Sequence, residues 1–366
     1  MLKINDSISN VIYPSNIFLL ERHEIFPYER FAYNALKVGV PALKEKLDNN
    51  QFDVNMSDDS SFITNFSIGR FESDDGYVIN TNAYTPPLLL VFCKYFEKLF
   101  IDDELFLAFC KKPEKFRDFI KDYSGIIVKT FTNNRNKLIS DWVRDLFNNF
   151  NLDIKAVCGW ISEYYDLCCK IIAYHEVAHA YVGQLFFSNS ISKNHVKAFE
   201  YAADLVSTEW FYNTYIRNTP NTQEYREFRR IETYNECLTT NYHVANKTYF
   251  MMLLYIGISK ALLTDGSLDL DGGRTHPNSL SRLLMQRMHF DTFCMSNYSE
   301  VFTKDYMSKS DTYFGSLTEL FVKSGVIQQS DLKAILKIKE DFNDLKEIIK
   351  NYNIENLKML LNIFDN

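Results

Sequence analysis

The sequence predicts a mainly α protein with one small β element, an α+β chain in which helices dominate. Three observations predict it. Only 12 Gly and 8 Pro stand among the 366 residues, so helix breakers are rare. From Pro86 almost to the C-terminus, apolar residues recur at spacings of three and four, the period of a helix with one buried face. A single stretch, Phe66 to Tyr84, alternates instead with period two around Asp75-Gly76, which reads as a β-hairpin and its turn.

Residues 1–60 are mixed and weakly patterned. After the hairpin, Pro86-Pro87 ends the extended run and opens a helix through "LLLVFCKYFEKLF". "PEKFRDFIKDY" and "NKLISDWVRDLFNNF" follow as two more helices. Asp153 is the expected cap of a long helix running to Phe187, broken by "SNSIS". "HVKAFEYAADLVSTEWFYNTY" is a second strong helix, followed by helical segments near 223–239 and 244–264. "DGSLDLDGG" is the most loop-like stretch, Pro277 opens another helix, and the tail from about Asp311 reads as amphipathic helices. There is no internal repeat and no low-complexity tract.

Composition bounds the function. Apolar residues at 46% and charged residues at 24% are the balance of a folded protein with a sizeable core, made aromatic by 30 Phe and 23 Tyr. A net charge of -7 and no long Lys/Arg run argue against a nucleic-acid platform. The seven cysteines are odd in number and form no CxxC pair, which fits a reduced compartment better than a disulfide framework. "PPLLLVFC" and "MMLLYIGI" are far shorter than the roughly 20 residues that span a bilayer. No signal peptide is evident at the N-terminus. The expectation is a soluble cytoplasmic protein with no membrane or nucleic-acid partner.

"AYHEVAHAYVG", Ala173 to Gly183, carries the chemistry. His175 and His179 stand at i and i+4, so on a helix they share one face and can bind one metal ion. Glu176 is turned about 100° away and reaches a metal-activated water from the side as general base. HExxH has only three fixed positions and recurs by chance, but here it lies between apolar flanks and uses two of only seven histidines. Gly183 leaves space one turn later, whereas Cys168 lies too far up the axis to be a ligand and reads as core. A catalytic zinc needs a third protein ligand and an open position. Six residues after His179 stands Leu185, so a third histidine at metzincin spacing is excluded. "FEYAAD" in the next helix offers Glu200 as third ligand, 21 residues after His179 (200 − 179), and Asp204 one turn on to hold the free N–H of a ligating histidine. The alternative for both acids is a solvated face, but their neighbours are apolar, and buried carboxylates need a partner. His195 competes with Glu200 as third ligand, though an exposed position at the helix start suits it better.

Together "HEVAH…EYAAD" resembles the gluzincin arrangement of zinc metallopeptidases. "THPNSLSR", Thr275 to Arg282, is similar to the HPxxxxR element of the HtpX and CAAX-protease type. The resemblance spans roughly residues 165–290. It implies a zincin-like core with His175, His179 and Glu200 as zinc ligands, Glu176 as base, Asp204 as orienting carboxylate, and His276 as a catalytic residue that helps stabilise the oxyanion or binds substrate near it. Tyr242 and His243 are the reserve for that last role. Arg282 is a candidate for substrate contact or for holding its loop through a carboxylate. Locally, Gly272-Gly273 reads as a loop and Pro277 as the first residue of a helix capped by Thr275 or His276, whatever His276 faces. Two departures separate this chain from HtpX-type families, which carry transmembrane helices and a longer gap before the glutamate. The short gap looks more like soluble gluzincins, including the Lit-type peptidases of phage exclusion and the ImmA type.

Three regions are therefore expected: 1–150 with the hairpin and helices, a zincin-like catalytic core over 151–295, and a helical region over 296–366. The expected function is zinc-dependent cleavage of a protein or peptide substrate, with a regulated or defence-related protease as one form of it. The alternative is a helical zinc-binding scaffold or sensor without proteolytic activity.

Overall fold

The computed structural model describes residues 51–57, 66–70, 76–82, 84–101, 103–134, 139–153, 163–182, 193–215, 282, 308, 315–325, 343, 346–347 and 350. Three strands come first: β1 (Gln51–Ser57), β2 (Phe66–Arg70) and β3 (Gly76–Asn82). Among the described residues the strands are followed by α1 (Thr85–Ile101), α2 (Asp103–Lys111), α3 (Pro113–Asn133), α4 (Ile139–Asn149), α5 (Glu163–Tyr181) and α6 (Lys193–Tyr215), with a further helix over 315–324. The described chain is mainly helical with a small sheet, as the sequence leads one to expect.

The hairpin is present as the antiparallel pair β2–β3, with Ile68 opposite Ile79 and Arg70 opposite Tyr77. The sheet is larger than the hairpin, because β1 adds to the other side of β3 in parallel, giving the order β1-β3-β2. β1 falls inside the stretch read from sequence as weakly patterned. Its residues do alternate, with Phe52, Val54 and Met56 between Asp53, Asn55 and Ser57, which is a strand signal. One sheet face is buried through Ile68, Tyr77, Ile79 and Thr81.

α1 starts as its prolines predict, with Pro86 and Pro87 in the first turn. The Tyr84 backbone N–H donates to Asn82 Oδ1 at 2.9 Å just before it. Leu88 to Cys93 are all buried, so the first half of this helix is enclosed on every side, while Lys98 in the second half is exposed. Truncating one of its leucines to Ala costs about 2–5 kcal/mol. Around it the aromatic residues make the core: Phe92 stacks on Phe96 at 4.3 Å, and Tyr95 stacks on Phe119 of α3 at 4.4 Å. Trp142 of α4 is wedged between Tyr84 at 4.8 Å and Phe131 at 4.9 Å. α4 ends in a Schellman turn: Asn151 takes φ 53, its N–H meets Asn148 O at 3.0 Å, and Leu152 N–H meets Phe147 O at 2.9 Å. A helix over 315–324 docks on α3 through Phe116 and Phe321, 5.1 Å apart, and through Arg117 Nε, which donates to Ser324 O at 2.7 Å.

These layers position α5. The sheet lies against it through β2 and β3, and α1 packs beside it with Cys93 Sγ and Cys168 Sγ 4.0 Å apart. Cys168 is therefore core, as its distance up the axis predicts. The other side of α5 is covered by α6, the most extensive pairing of two helices among the described residues. The start of the predicted long helix, 154–162, lies outside the described residues, as do the helical segments near 223–239 and 244–264 and the loop at 265–273. Among the described residues no helix is long and apolar enough to cross a membrane.

Candidate metal centre

α5 has almost no polar face. Leu167, Cys169, Ile171, Tyr174, Val177 and Ala178 point in different directions round the helix, and all are buried. Such a helix belongs in the interior, and it carries His175, Glu176 and His179 there with it. α6 repeats the pattern: Ala198, Phe199, Ala202, Ala203 and Leu205 are buried round Glu200 and Asp204. Trp210 of α6 clamps the pair, with ring centroids 6.2 Å from Tyr174 and 5.3 Å from Tyr181.

The two i,i+4 pairs face each other across this interface. His175 Nε2 lies 3.1 Å from His179 Nε2. Glu200 completes a triangle, with Oε2 3.4 Å from His175 Nε2 and Oε1 3.6 Å from His179 Nε2. The earlier histidine also meets the later acid: His175 Nδ1 lies 2.9 Å from Asp204 Oδ1. First-with-last pairing is what helices running in opposite directions produce. The solvated face weighed for the two acids does not exist, since Glu200 is 6% exposed and Asp204 1%.

The residues fit a cation. A tetrahedral ion with bonds of about 2.0–2.1 Å has its ligand atoms about 3.3 Å apart; the two ring nitrogens here are 3.1 Å apart, and one ligand atom from each of the three residues lies within 4.8 Å of the others. Two imidazole nitrogens and one carboxylate, all buried, could hold a metal ion. His175 is oriented for it, because contact through Nδ1 leaves Nε2 directed at the triangle. Comparison with protein-family models, curated proteins and solved structures gives no match. The centre is thus read from its own geometry.

Arg282 closes the arrangement from far along the chain. Its Nε donates to Asp204 Oδ2 and its Nη2 to Asp204 Oδ1, both at 2.6 Å, a two-pronged ion pair. Arg282 is buried and engages the Asp204 carboxylate.

The electrostatics follow from burial and these partners. Burial pulls the His175 pKa down, but the Asp204 carboxylate, and then Glu200, raise it from 6.5 to about 10. Glu200 and Asp204 would be pushed up by burial. The histidines hold Glu200 well below the carboxylate range, and Arg282 with His175 does the same for Asp204. Arg282 is itself held above its ordinary value against burial, chiefly by Asp204. Glu176 differs from all of these. Burial raises it from 4.5 to about 7, with Glu200 and Asp204 adding to the rise and His175 and Arg282 opposing it. It is the one carboxyl of the centre poised near neutral pH.

His175, Glu176, His179, Glu200, Asp204 and Arg282 are therefore gathered in one buried cluster. His195 lies in the first turn of α6, where nothing is described of its side chain. Gly183, Leu185, Tyr242, His243 and His276 lie outside the described residues. The sequence pointed to some carboxylate for Arg282 but not to Asp204, from which it is 78 positions distant.

Proposed function

We propose that the chain is a zinc-dependent endopeptidase of the gluzincin type, acting on a protein or peptide substrate. The observation that carries this reading is Glu176, buried and raised to about 7, beside the triangle of His175, His179 and Glu200. A site that only holds metal has no use for such a carboxyl, since burying it costs stability. A general base works best with a pKa near the operating pH. This favours the enzyme over the zinc-binding scaffold.

Zinc, when bound, supplies Lewis acidity and makes a water nucleophilic near neutral pH. His175, His179 and Glu200 would hold it, and Asp204 keeps the His175 ring turned to it. Glu176 takes the proton of the attacking water at its carboxylate and passes it to the amine that leaves. The buried walls of α5 and α6 exclude bulk water, so this proton has few competing acceptors. β2 supports a place for substrate: it is an edge strand of the described sheet and packs against α5. An extended peptide can add to such an edge by backbone hydrogen bonds.

The test is a peptide-library or proteome cleavage screen of the wild-type chain and Glu176→Gln, with the zinc content of both measured. The reading expects cleavage by wild type alone and equal zinc in the two. Equal cleavage by both, or none by a zinc-loaded wild type over a broad substrate set, overturns it.

A further inference from the structure

We propose that Arg282 is a positioning residue for His175, acting through Asp204, so that affinity at the α5–α6 site depends on a side chain distant in sequence from every ligand. The inference rests on the zinc reading above and names a determinant of that same site.

The geometry is a three-member chain. His175 Nδ1 lies 2.9 Å from Asp204 Oδ1, and that same oxygen accepts Arg282 Nη2 at 2.6 Å. The second oxygen, Oδ2, accepts Arg282 Nε at 2.6 Å. A carboxylate can rotate about its own side-chain bond, and one held at a single oxygen can swing. One held at both by the rigid guanidinium fork has its plane set. With the Asp204 plane set, the oxygen that stands 2.9 Å from His175 Nδ1 is fixed in place, and that ion-pair contact sets the direction of Nε2. Arg282 is suited to this and not to gripping substrate, since it is 5% exposed and spends two donors on Asp204. Lysine would bring the same charge without the fork, which separates positioning from simple neutralisation of a buried carboxylate.

The experiment measures zinc affinity of the full chain by competition with a chromophoric chelator. It compares wild type, Arg282→Gln, Arg282→Lys, Asp204→Asn and the double variant Asp204→Asn/Arg282→Gln. Thermal unfolding of each metal-free protein is recorded alongside. The expected result is a loss of about 10- to 100-fold in affinity for Arg282→Gln, the usual effect of removing an outer partner of a metal ligand. Arg282→Lys should recover the metal-free melting temperature but only part of the affinity. In the Asp204→Asn background, Arg282→Gln should change affinity by less than about twofold, because its effect runs through that carboxylate. Wild-type affinity in Arg282→Gln or in Arg282→Lys overturns the assignment, as does an equal Arg282→Gln loss with Asp204 already replaced. Should Arg282→Gln fail to fold, Arg282→Lys and the double variant, which leaves no unpaired charge buried, give the same decision. A wild-type chain that binds no zinc defeats the metal reading itself, an outcome distinct from all of these.

Discussion

Asp204 Oδ1 stands 2.9 Å from His175 Nδ1 across the α5–α6 interface, which turns the other nitrogen of the ring toward His179 and Glu200. One carboxylate thereby serves two partners, since it also carries the Arg282 ion pair. Asp204→Ala should remove both functions. Arg282 would be left buried and unpaired, at a cost of about 3–5 kcal/mol. Urea unfolding of the metal-free variant checks this, and a loss under about 1 kcal/mol would show that the pair contributes little to folding.

Metal binding should release protons. His175 has a folded pKa of about 10 against an ordinary 6.5, so the metal-free ring is charged at pH 7. The folded value is the raised one, so the stability from this ring is fully present below about 6.5 and lost as pH rises through about 10. A metal ion must displace that proton, so zinc affinity should climb with pH across this window. Titration calorimetry at pH 7.5 in buffers of different ionisation heat should give buffer-dependent heats. Identical heats in every buffer would contradict a charged His175.

Glu176→Gln should lower turnover by about 10²- to 10⁴-fold while zinc is retained. The same change should stabilise the metal-free protein at alkaline pH. Glu176 is raised in the folded state from 4.5 to about 7, so its favourable contribution is present below about 4.5 and lost as pH rises through about 7. Above that, folding keeps a carboxylate out of water, and glutamine removes the penalty. Melting temperatures at pH 5 and pH 8 should show the variant gaining on wild type at the higher pH. For the wild-type activity, kcat should fall at acid pH as the base is protonated, with a midpoint below the metal-free value of about 7, because the bound cation favours the carboxylate.

Much of this centre is legible in the sequence because both halves use the helical i,i+4 spacing. His175/His179 and Glu200/Asp204 each declare a face, and the apolar residues around them declare that the face is buried. The hairpin is legible for the parallel reason that strands alternate. Two pairings carry no such local signature. β1 carries the alternation of Phe52, Val54 and Met56, but its partner β3 lies past the intervening β2, and no local turn announces a parallel pairing. The Arg282–Asp204 pair spans 78 positions, and an arginine carries no mark of which distant carboxylate it will meet.

The clamp between the helices offers an independent check on the site's rigidity. Tyr174 is fully buried and meets Trp210 edge-on at 6.2 Å. Tyr174→Ala should cost about 3–5 kcal/mol as a core cavity. Because the ligands come from both helices, zinc affinity should fall with it, and excess zinc should recover part of the lost melting temperature. A melting temperature insensitive to zinc would mean that the ion does not bridge α5 and α6.

The most direct measurement is the zinc content of the purified full chain beside His179→Ala and Glu200→Ala, both checked for folding by circular dichroism. The account predicts about one zinc per wild-type chain and a small fraction of that in each folded variant, since each removes one of three ligands drawn from two helices. Wild type without zinc, or folded variants that carry as much as wild type, would contradict it.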